Sequence, residues 1–309
     1  MTDTCSIRLG TRGSQLARTQ SEGVAQQLRA LGHEVELVEI RTQGDEQGTA
    51  PVASLGSVGV FTKEIQSALL DERVDLAVHS LKDLPTDVIE NLSLAAVPVR
   101  ENCGDALISR GDVALADLPA GARIGTSSLR RRSQLLHQRP DLELCDIRGN
   151  VDTRLRKLTD GQFDAIVLAE AGLKRLGLSD RVTEVLAKTW MLPAVGQGAL
   201  GLETRTDDRA TRAAVAELND EATHAAVLAE RAMLLSLAGG CLAPIGAWGR
   251  IEDVRLRLTA AVLSRDGSRR IEADASDDLS AAEALGQRVA GELLDRGAAD
   301  LIAESRDST

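Results

Sequence analysis

Apolar and polar residues alternate along the first forty positions in a pattern that predicts a strand, a helix and a second strand. Residues 7–9 are typical of a short strand. Apolar positions spaced about three or four residues apart then predict a helix that begins after Ser14, a good N-cap, and ends at Gly32. Residues 34–40 alternate as a half-buried strand does. This order predicts parallel strands joined by a right-handed crossover.

Further elements continue this order and cross between two predicted lobes. The pattern predicts a helix over 61–73 and strands over 74–79, 92–99, 105–109 and 164–168. The chain enters a second lobe near residue 100 and leaves it near 191–198, and a strand over 199–203 then returns to the first sheet. The segment 42–59 is too long for a simple connection, and such segments are usually functional or disordered.

The last third of the chain predicts a different arrangement. A long apolar helix, three strands and a final helix are expected over 221–237, 245–250, 254–264, 269–275 and 279–296. Asp266-Gly267 is a hairpin turn between the last two strands. Consecutive strands followed by a helix indicate a small α+β domain. The predicted domains are 1–99 with 197–218, then 100–196, and finally 219–309.

Polar and glycine-bearing loops follow the predicted strands of both lobes. Because ligands of open α/β sheets bind beyond the carboxyl ends of the strands, these loops are candidates for a ligand cleft between the lobes. They lie at Thr11, Ser80, Thr126, Arg148 and Ala169.

The second lobe opens with an arginine-rich stretch in an otherwise acidic chain. Residues 125–155 read GTSSLRRRSQLLHQRPDLELCDIRGNVDTRL, which predicts strand, helix, strand and helix. Thr126, Ser127 and Ser128 stand where the first helix starts, and a helix start is a ready anion site. The arginines add donors that suit carboxylate or phosphate equally. For any single arginine, a solvated helix face is the alternative.

Composition and charge narrow the class of protein. A net charge of −11 disfavours DNA or RNA as a partner. No apolar run approaches the length of a membrane span, and the polar start is not expected to be a signal peptide. The four cysteines are scattered, without C-x-x-C spacing or histidine neighbours, which argues against a zinc site and a disulfide framework, so a protein of the reducing cytoplasm is expected.

Two loops carry residues with candidate chemistry. Lys82-Asp83 follows an apolar strand, where the carboxylate could stabilise a turn, or could face a cleft and stabilise a cation or move a proton. Cys241 lies on a tight loop between Gly240 and Pro244. It is either a small buried hydrophobic residue or a covalent attachment point, since no base stands beside it for nucleophilic catalysis.

Seven strings of residues together resemble a known family. They are GTRGSQLA from Gly10, AVHSLKDLP from Ala77, GTSSLRRR from Gly125, RGNVDTRL from Arg148, LAEAGLKRLG from Leu168, LPAVGQGALG from Leu192 and GGCLAPIG from Gly239. In this order, over nearly the whole chain, they resemble the porphobilinogen deaminases, also called hydroxymethylbilane synthases. The resemblance implies an α/β fold with two lobes like those of type II periplasmic binding proteins and a smaller α+β third domain.

The resemblance also implies an activity and a cofactor. Enzymes of this family join four porphobilinogen molecules head to tail with loss of ammonia, and release linear hydroxymethylbilane for tetrapyrrole synthesis. They extend a dipyrromethane primer held by a thioether to a cysteine, which corresponds to Cys241, and their catalytic aspartate corresponds to Asp83. The implied partners are porphobilinogen and a uroporphyrinogen-III synthase that uses the product. A monomer without a metal, nucleic acid or membrane partner is expected.

The family's ligand positions carry over residue by residue. Besides Cys241, the cofactor positions correspond to Lys82, Asp83, Thr126, Ser127, Ser128, Arg130, Arg131, Arg148 and Gly149. The substrate positions correspond to Arg12, Ser14, Arg148, Arg154, Arg175 and Gln197. Each pyrrole carries an acetate and a propionate, so the growing chain needs many fixed cations. A buried Asp83 carboxylate would stabilise the cation left when ammonia departs.

One loop and one single residue depart from the family pattern, and two other functions stay open. Ser54 and Val58 stand where a cleft-covering loop is expected to carry lysines. Glu170 stands where a small neutral residue is expected, and would repel substrate acids or pair with Lys174.

One alternative function is a two-lobed binder of organic anions, which would tolerate Asp83→Asn. The other is an enzyme for phosphate ligands, although neither a P-loop nor a dinucleotide fingerprint is present.

Overall fold

The computed structural model describes residues 4–41, 62–87, 89–238 and 243–307. Contacts divide the chain into two compact units. The first unit is Met1–Glu101 with Ala199–His224, and the second is Asn102–Gly198 with Ala225–Thr309. One five-stranded sheet belongs to the first unit, while a second five-stranded sheet and a three-stranded sheet belong to the second unit. The boundaries of the three predicted domains stay a prediction.

The first unit contains a mixed sheet with helices on both faces. Its elements are β1 (Ser6–Thr11), α1 (Gln15–Ala30), β2 (Glu34–Glu39), α2 (Lys63–Leu70), β3 (Leu76–Ser80), β4 (Leu92–Ala96), β10 (Leu200–Arg205) and α6 (Arg209–Ala216). The strand order is β2-β1-β3-β10-β4. The predicted return of a strand near 199–203 is confirmed. The prediction of parallel strands holds for β1, β2 and β3, whereas β10 runs antiparallel to both of its neighbours.

Helix α1 begins where the sequence predicts. Ser14 has extended backbone angles, and its side chain accepts a hydrogen bond from Ala17 N, as an N-cap does. Val24 and Leu28, four residues apart on one helix face, pack against Leu9 of β1 in the core. The periodic apolar positions therefore place the loop between β1 and α1 at the carboxyl end of β1.

The sheet of the second unit repeats this arrangement. Its elements are β5 (Asp105–Ser109), β6 (Arg123–Gly125), α3 (Leu129–Gln138), β7 (Glu143–Cys145), α4 (Val151–Thr159), β8 (Ala165–Ala169), α5 (Glu170–Arg175) and β9 (Glu184–Leu186). The strand order is β7-β6-β8-β5-β9, in which β6, β7 and β8 are parallel and β5 is antiparallel to β8 and β9. The predicted strand–helix–strand–helix order of residues 125–155 is confirmed.

The remaining elements of the second unit form the smaller α+β part. They are α7 (Glu221–Ser236, part of this unit from Ala225 onwards), β11 (Ile245–Glu252), β12 (Arg255–Leu263), β13 (Arg270–Asp277), α8 (Ala282–Asp295) and α9 (Ala298–Asp307). The three strands form an antiparallel meander, and Leu263 pairs with Arg270 across the predicted turn at Asp266-Gly267. The predicted helix over 279–296 is confirmed as a 3₁₀ turn at Leu279–Ala281 followed by α8. It is not the final helix of the chain, because Gly297 adopts a left-handed φ of +90° and α9 follows.

The predicted α/β fold class with a smaller α+β part is confirmed. Apolar residues of α8, such as Leu285 and Val289, form one core with Leu256 and Leu258 of β12. Within the described ranges, no helix combines the length and the apolar character needed to cross a membrane.

Candidate active site

Two predicted loops of the first unit lie at the same edge of its sheet. Strands β1 and β3 are parallel neighbours, so both of their carboxyl ends face that edge. Arg12 and Ser14 follow β1, and Lys82 and Asp83 follow β3. The structure therefore brings the four predicted residues of this unit to one sheet edge.

The loop after β3 is a single 3₁₀ turn over Leu81–Asp83. Leu81 and Leu84 are buried, and Leu81 N donates to Ala199 O at 3.0 Å, which fixes the turn against the sheet. Asp83 lies between these two anchors and is exposed, whereas Lys82 is half-buried. The expectation of a buried Asp83 is wrong for the described chain, because the two leucines take the inward positions of this short turn.

Three predicted loops of the second unit lie at one edge of its first sheet, because β6, β7 and β8 are parallel. The predicted hydroxyls build the loop after β6. Ser128 is the N-cap of α3 and accepts from Arg131 N, while Ser127 Oγ donates to Ile147 O at 2.8 Å and accepts from Ile147 N at 3.1 Å. Thr126 is buried, and its Oγ1 accepts from Ser128 N at 3.3 Å.

The turn after β7 depends on a glycine. Gly149 has a φ of +109°, and a Cβ there would lie 2.5 Å from Thr153 Cγ2. Asn150 then caps α4 by accepting from Thr153 N at 3.0 Å, as its position predicts. Gly149 O accepts from Arg154 Nε at 2.8 Å. Arg148 and Arg154 therefore stand at either end of one rigid turn, and both are half-buried.

The two adjacent arginines of α3 share one buried carboxylate. Arg130 Nη1 donates to Asp105 Oδ2 at 2.6 Å, and Arg130 Nη2 donates to Oδ1 at 3.3 Å. Arg131 Nε and Nη2 donate to Asp105 Oδ1 at 2.9 and 2.7 Å. Asp105 is 0% exposed, and the arginines are 5% and 6% exposed. We call Asp105, Arg130 and Arg131 the buried arginine cluster.

Charge within the buried arginine cluster controls the ionisation of its carboxyl group. Burial by itself raises the pKa of Asp105, but the charges of Arg130 and Arg131 and their hydrogen bonds outweigh burial. The net pKa of Asp105 lies well below its ordinary value, so the carboxylate stays ionised.

Neighbouring backbone and side chains hold the cluster in place. Gln197 Nε2 donates to Asp105 Oδ1 at 3.0 Å and to Cys103 O at 2.8 Å. Arg175 Nη2 donates to Gly198 O at 2.7 Å, next to Gln197. The structure therefore joins the predicted residues Arg130, Arg131 and Gln197 through Asp105.

Glu170, the departure from the family pattern, begins α5 directly after β8. Its Oε1 accepts from Asn102 Nδ2 at 2.9 Å, and Asn102 Oδ1 accepts from Lys188 Nζ at 3.1 Å. The carboxylate thus has a polar partner on the segment that precedes β5.

Two fully buried carboxylates were missed by the sequence reasoning. Asp105 begins an apolar strand, and a charged residue at that position is the signal that would have indicated a buried ion pair. Glu230 of α7 is 0% exposed and accepts from Gly196 N at 2.7 Å and from Gly249 N at 2.8 Å. The apolar pattern of α7 gives no signal for a buried carboxylate at this position.

Arg132 and Arg139 are absent from the predicted ligand set. Both donate to backbone carbonyl groups, which belong to Leu144, Leu115 and Leu118.

Some predicted residues lie outside the described ranges. They are Cys241 with its neighbours Gly239 and Gly240, and Ser54 and Val58 of the segment 42–59. Their predicted roles stay predictions.

Two family models match this chain. Residues 7–213 match the model described as porphobilinogen deaminase, dipyromethane cofactor binding domain. Residues 224–295 match the model described as porphobilinogen deaminase, C-terminal domain. The first match covers both parts of the first unit up to α6 and the whole arginine-rich stretch.

Curated relatives match over nearly their whole length. A porphobilinogen deaminase of Desulforudis audaxviator is 51% identical over 97% of this chain and 98% of its own. Those of Syntrophobacter fumaroxidans and Geobacter sulfurreducens are 48% and 49% identical over 96% of this chain, and over 97% and 94% of their own.

Solved structures that resemble this chain at low sequence identity include a methionine binding protein and a BvgS domain. The methionine binding protein MetQ has a TM-score of 0.44 at 16% identity, over 69% of this chain and 89% of its own. The BvgS VFT2 domain of Bordetella pertussis has a TM-score of 0.42 at 16% identity, over 69% of this chain and 86% of its own.

The family matches confirm the resemblance of the seven strings, and with it the predicted class of transferase and the dipyrromethane cofactor. The chain belongs to the porphobilinogen deaminase family.

Proposed function

We propose that this chain joins porphobilinogen molecules into hydroxymethylbilane, with Asp83 as the catalytic carboxylate and Cys241 as the attachment point of dipyrromethane. The observation that carries the proposal is the buried arginine cluster, which holds two guanidiniums against one carboxylate at the carboxyl ends of strands. A site of this kind suits a ligand that brings carboxylates of its own.

The described residues fit the proposed cofactor. Arg131 and Arg148 would hold its acetate and propionate groups, and Gly149 lets the backbone approach closely. When bound, dipyrromethane supplies the pyrrole α-carbon to which the first substrate molecule is joined. Ser127 and Ser128 support this pocket by fixing the loop after β6 and the start of α3.

Asp83 is proposed to act on the substrate. In substrate with a protonated aminomethyl group, the bond between the methylene carbon and the ammonium nitrogen of porphobilinogen breaks, the electron pair leaves with ammonia, and a cationic methylene-pyrrole remains. The Asp83 carboxylate accepts a hydrogen bond from the pyrrole N–H and stabilises that cation. Asp83 would also be placed to receive the proton that the acceptor α-carbon loses when the new carbon–carbon bond replaces its C–H bond.

The exposure of Asp83 affects how strongly it can act. Water weakens the attraction between the carboxylate and a cation, because the dielectric constant of water is much higher than that of a protein interior. Since Asp83 is exposed in the described chain, the substrate itself has to cover it and displace that water.

The remaining predicted cations are proposed to bind substrate carboxylates. Arg12 and Lys82 stand at the sheet edge of the first unit, and Arg154 and Arg175 at that of the second. Ser14 Oγ accepts from Ala17 N, and its O–H can still donate to a carboxylate. Arg12 and Ser14 follow β1, and Lys82 and Asp83 follow its neighbour β3, so this edge of the sheet suits the incoming substrate.

We further propose a cytoplasmic monomer whose product is taken up by a uroporphyrinogen-III synthase. The excess of acidic residues and the scattered cysteines support a reducing, aqueous compartment. Size-exclusion chromatography with light scattering tests the oligomeric state, and a mass of twice the chain would contradict the monomer.

Intact mass spectrometry tests the attachment at Cys241. We expect purified chain to be heavier than its sequence by one dipyrrole, and to gain further pyrrole units in steps when porphobilinogen is added. Cys241→Ser should lose the added mass. Cys145→Ser, a change at a half-buried cysteine, is the matched control and should keep it. Added mass that persists in Cys241→Ser would refute the attachment point.

Asp83→Asn tests the catalytic carboxylate. We expect at least about a hundredfold loss of kcat, because general acid–base and charge stabilisation each contribute factors of that order. Asp87→Asn, an exposed aspartate four positions along, is the control and should retain activity within about twofold. Unchanged turnover in Asp83→Asn would refute Asp83 as the catalytic carboxylate. A wild-type chain without turnover, together with an unchanged ligand response in Asp83→Asn, would favour a chain that only binds organic anions.

A further inference from the structure

The first turn of α3 concentrates positive charge. Arg130 and Arg131 both lie in this turn, which contains no acidic residue. A helix start carries a partial positive charge of its own, which disfavours cations there. Both arginines are more than nine-tenths buried, so water does little to offset this cost. The placement is unfavourable unless anions balance it.

Within the described ranges, one carboxylate pairs with these two guanidiniums. Asp105 contacts both, at 2.6 and 2.7 Å. The buried arginine cluster therefore keeps one positive charge in excess, and the start of α3 adds to it. Because an unbalanced buried charge is costly, the arrangement suits the arrival of one more anion.

The hydrogen bonds distinguish the two arginines. Arg130 donates through Nη1 to Asp105 Oδ2 and Leu192 O, and through Nη2 to Asp105 Oδ1 and Gln197 Oε1. All four terminal N–H groups of Arg130 are thereby engaged.

Arg131 is engaged less completely. It donates through Nε and Nη2 to Asp105 Oδ1, and through Nη1 to Val167 O. A guanidinium has two N–H groups on each terminal nitrogen, so one on Nη1 and one on Nη2 remain for another acceptor. Parallel N–H groups on neighbouring nitrogens match the two oxygens of a carboxylate.

We propose that Asp105 is a positioning residue, which holds the two guanidiniums for one further carboxylate that Arg131 contacts directly. Arg130 acts through Asp105 and Gln197 and does not itself contact the ligand. This inference rests on the proposed function, in which the further carboxylate belongs to a pyrrole acid. It changes the prediction that both arginines contact the cofactor.

Asp105 does more than balance charge. Two adjacent guanidiniums repel each other, and a carboxylate that accepts from both keeps them side by side. Asparagine has the same shape but no charge, and its amide nitrogen would face an arginine donor. Asp105→Asn should therefore leave Arg131 misdirected even where the chain remains folded.

A matched control exists in the first unit. Asp75 also lies between two arginines: it accepts from Arg8 Nε at 2.9 Å and from Arg205 Nη2 at 3.1 Å, and is 8% exposed. It directly precedes β3, at the end of that strand opposite to Ser80 and the Asp83 loop. Asp75→Asn thus removes the same chemistry away from the candidate site.

The experiment compares Asp105→Asn, Arg131→Gln and Asp75→Asn with wild type by intact mass, steady-state kinetics and urea unfolding. For Asp105→Asn and Arg131→Gln, we expect at least a tenfold loss in the fraction of chains that carry the dipyrrole, or a tenfold rise in KM for porphobilinogen in the chains that carry it. The kcat of the chains that carry the dipyrrole should change less than threefold. Asp75→Asn should lower the urea midpoint and leave dipyrrole occupancy and KM within twofold of wild type.

A double variant tests the different roles of the arginines. If Arg130 acts through Asp105, then Arg130→Gln should add less than twofold to the KM of Asp105→Asn. A fully multiplicative effect would show that Arg130 contacts the ligand itself. Occupancy and KM within twofold of wild type in Asp105→Asn, together with a lowered urea midpoint, would show that Asp105 is only structural and would overturn the inference.

A simple carboxylate separates failure of this inference from failure of the proposed function. The comparison uses Cys241→Ser, which lacks the attachment point, in sodium propionate and in sodium chloride at equal concentration. Propionate should raise the urea midpoint of Cys241→Ser, and should not raise that of Cys241→Ser with Arg131→Gln. Equal responses of the two chains would refute the carboxylate site. A wild-type chain without dipyrrole or turnover would refute the proposed function, while the propionate comparison would still decide the inference.

Discussion

Glu230 is the most deeply buried carboxylate outside the candidate site, and its removal should destabilise the second unit. Its Oε2 accepts from Gly196 N at 2.7 Å, and its Oε1 accepts from Gly249 N at 2.8 Å. Gly196 belongs to the segment that precedes Gln197, and Gly249 lies in β11. One side chain therefore joins the crossing segment to the third sheet.

The two hydrogen bonds set the expected magnitudes. A hydrogen bond to a charged group contributes about 1.5–3 kcal/mol net, and a buried N–H left without a partner costs about 1–3 kcal/mol. Glu230→Gln keeps one acceptor and turns its amide nitrogen towards the other N–H, so we expect a loss of about 2 kcal/mol. Glu230→Ala removes the charged acceptor of both N–H groups and opens a cavity, so we expect a loss of about 4 kcal/mol.

Tryptophan fluorescence during urea unfolding measures this effect in the relevant unit. The chain has two tryptophans, Trp190 and Trp248, and both belong to the second unit. With a slope of about 2 kcal/mol per M, Glu230→Gln should lower the midpoint by about 1 M, and Glu230→Ala by about 2 M. Glu221→Gln, an exposed change on the same helix, is the control and should shift it by less than about 0.3 M.

Two results would refute the reasoning on Glu230. A midpoint for Glu230→Gln within about 0.2 M of wild type would show that the two N–H groups gain nothing from a charged acceptor. A midpoint for Glu230→Ala no lower than that of Glu230→Gln would show that buried donors without a partner are not the cause.

Three further predictions concern turns. Gly149→Ala should raise KM for porphobilinogen and destabilise the chain by more than about 1 kcal/mol, because φ is +109° and the new methyl group would meet Thr153. An unchanged KM would argue against a role for this turn in binding. Val254→Gly should raise the free energy of unfolding by about 1 kcal/mol, and the urea midpoint with it, because an exposed β-branched residue at φ +62° is strained in the Asp253-Val254 hairpin turn. A lowered midpoint would contradict this. Hydrogen bonds from Ser264 Oγ, Ser268 N and Ser268 Oγ lower the pKa of Asp266 to about 2. The folded pKa of Asp266 is below its unfolded value, so its contribution to stability is present above about pH 4 and is lost as the pH falls towards 2. The difference in urea midpoint between wild type and Asp266→Asn should therefore shrink over that range. A constant difference would contradict the assignment.

Short-range features of the fold could be predicted from the sequence. Ser14, Ser128 and Asn150 start their helices by accepting from a backbone N–H three residues ahead, so the signal and its effect lie within one turn. The Asp266-Gly267 turn likewise sets the pairing of β12 with β13. The family strings, which are also local, identified the enzyme class.

Long-range features could not be predicted in the same way. Asp105 is separated from Arg130 by 25 positions, and Glu230 from Gly196 by 34, so no local pattern shows which groups they meet. The antiparallel direction of β10 depends on where the chain re-enters the sheet. Even the exposure of Asp83 follows from the inward packing of Leu81 and Leu84 against the rest of the unit.

The sequence by itself determined the order of the elements, the starts of the principal helices, and the set of cations and hydroxyls available for an anionic ligand. Only the tertiary structure decided which of these cations are already paired. Pairing depends on burial and on contacts between distant strands. Arg130 and Arg131 are alike in the sequence, but in the structure all four terminal N–H groups of Arg130 are engaged, whereas two of those of Arg131 remain for another acceptor.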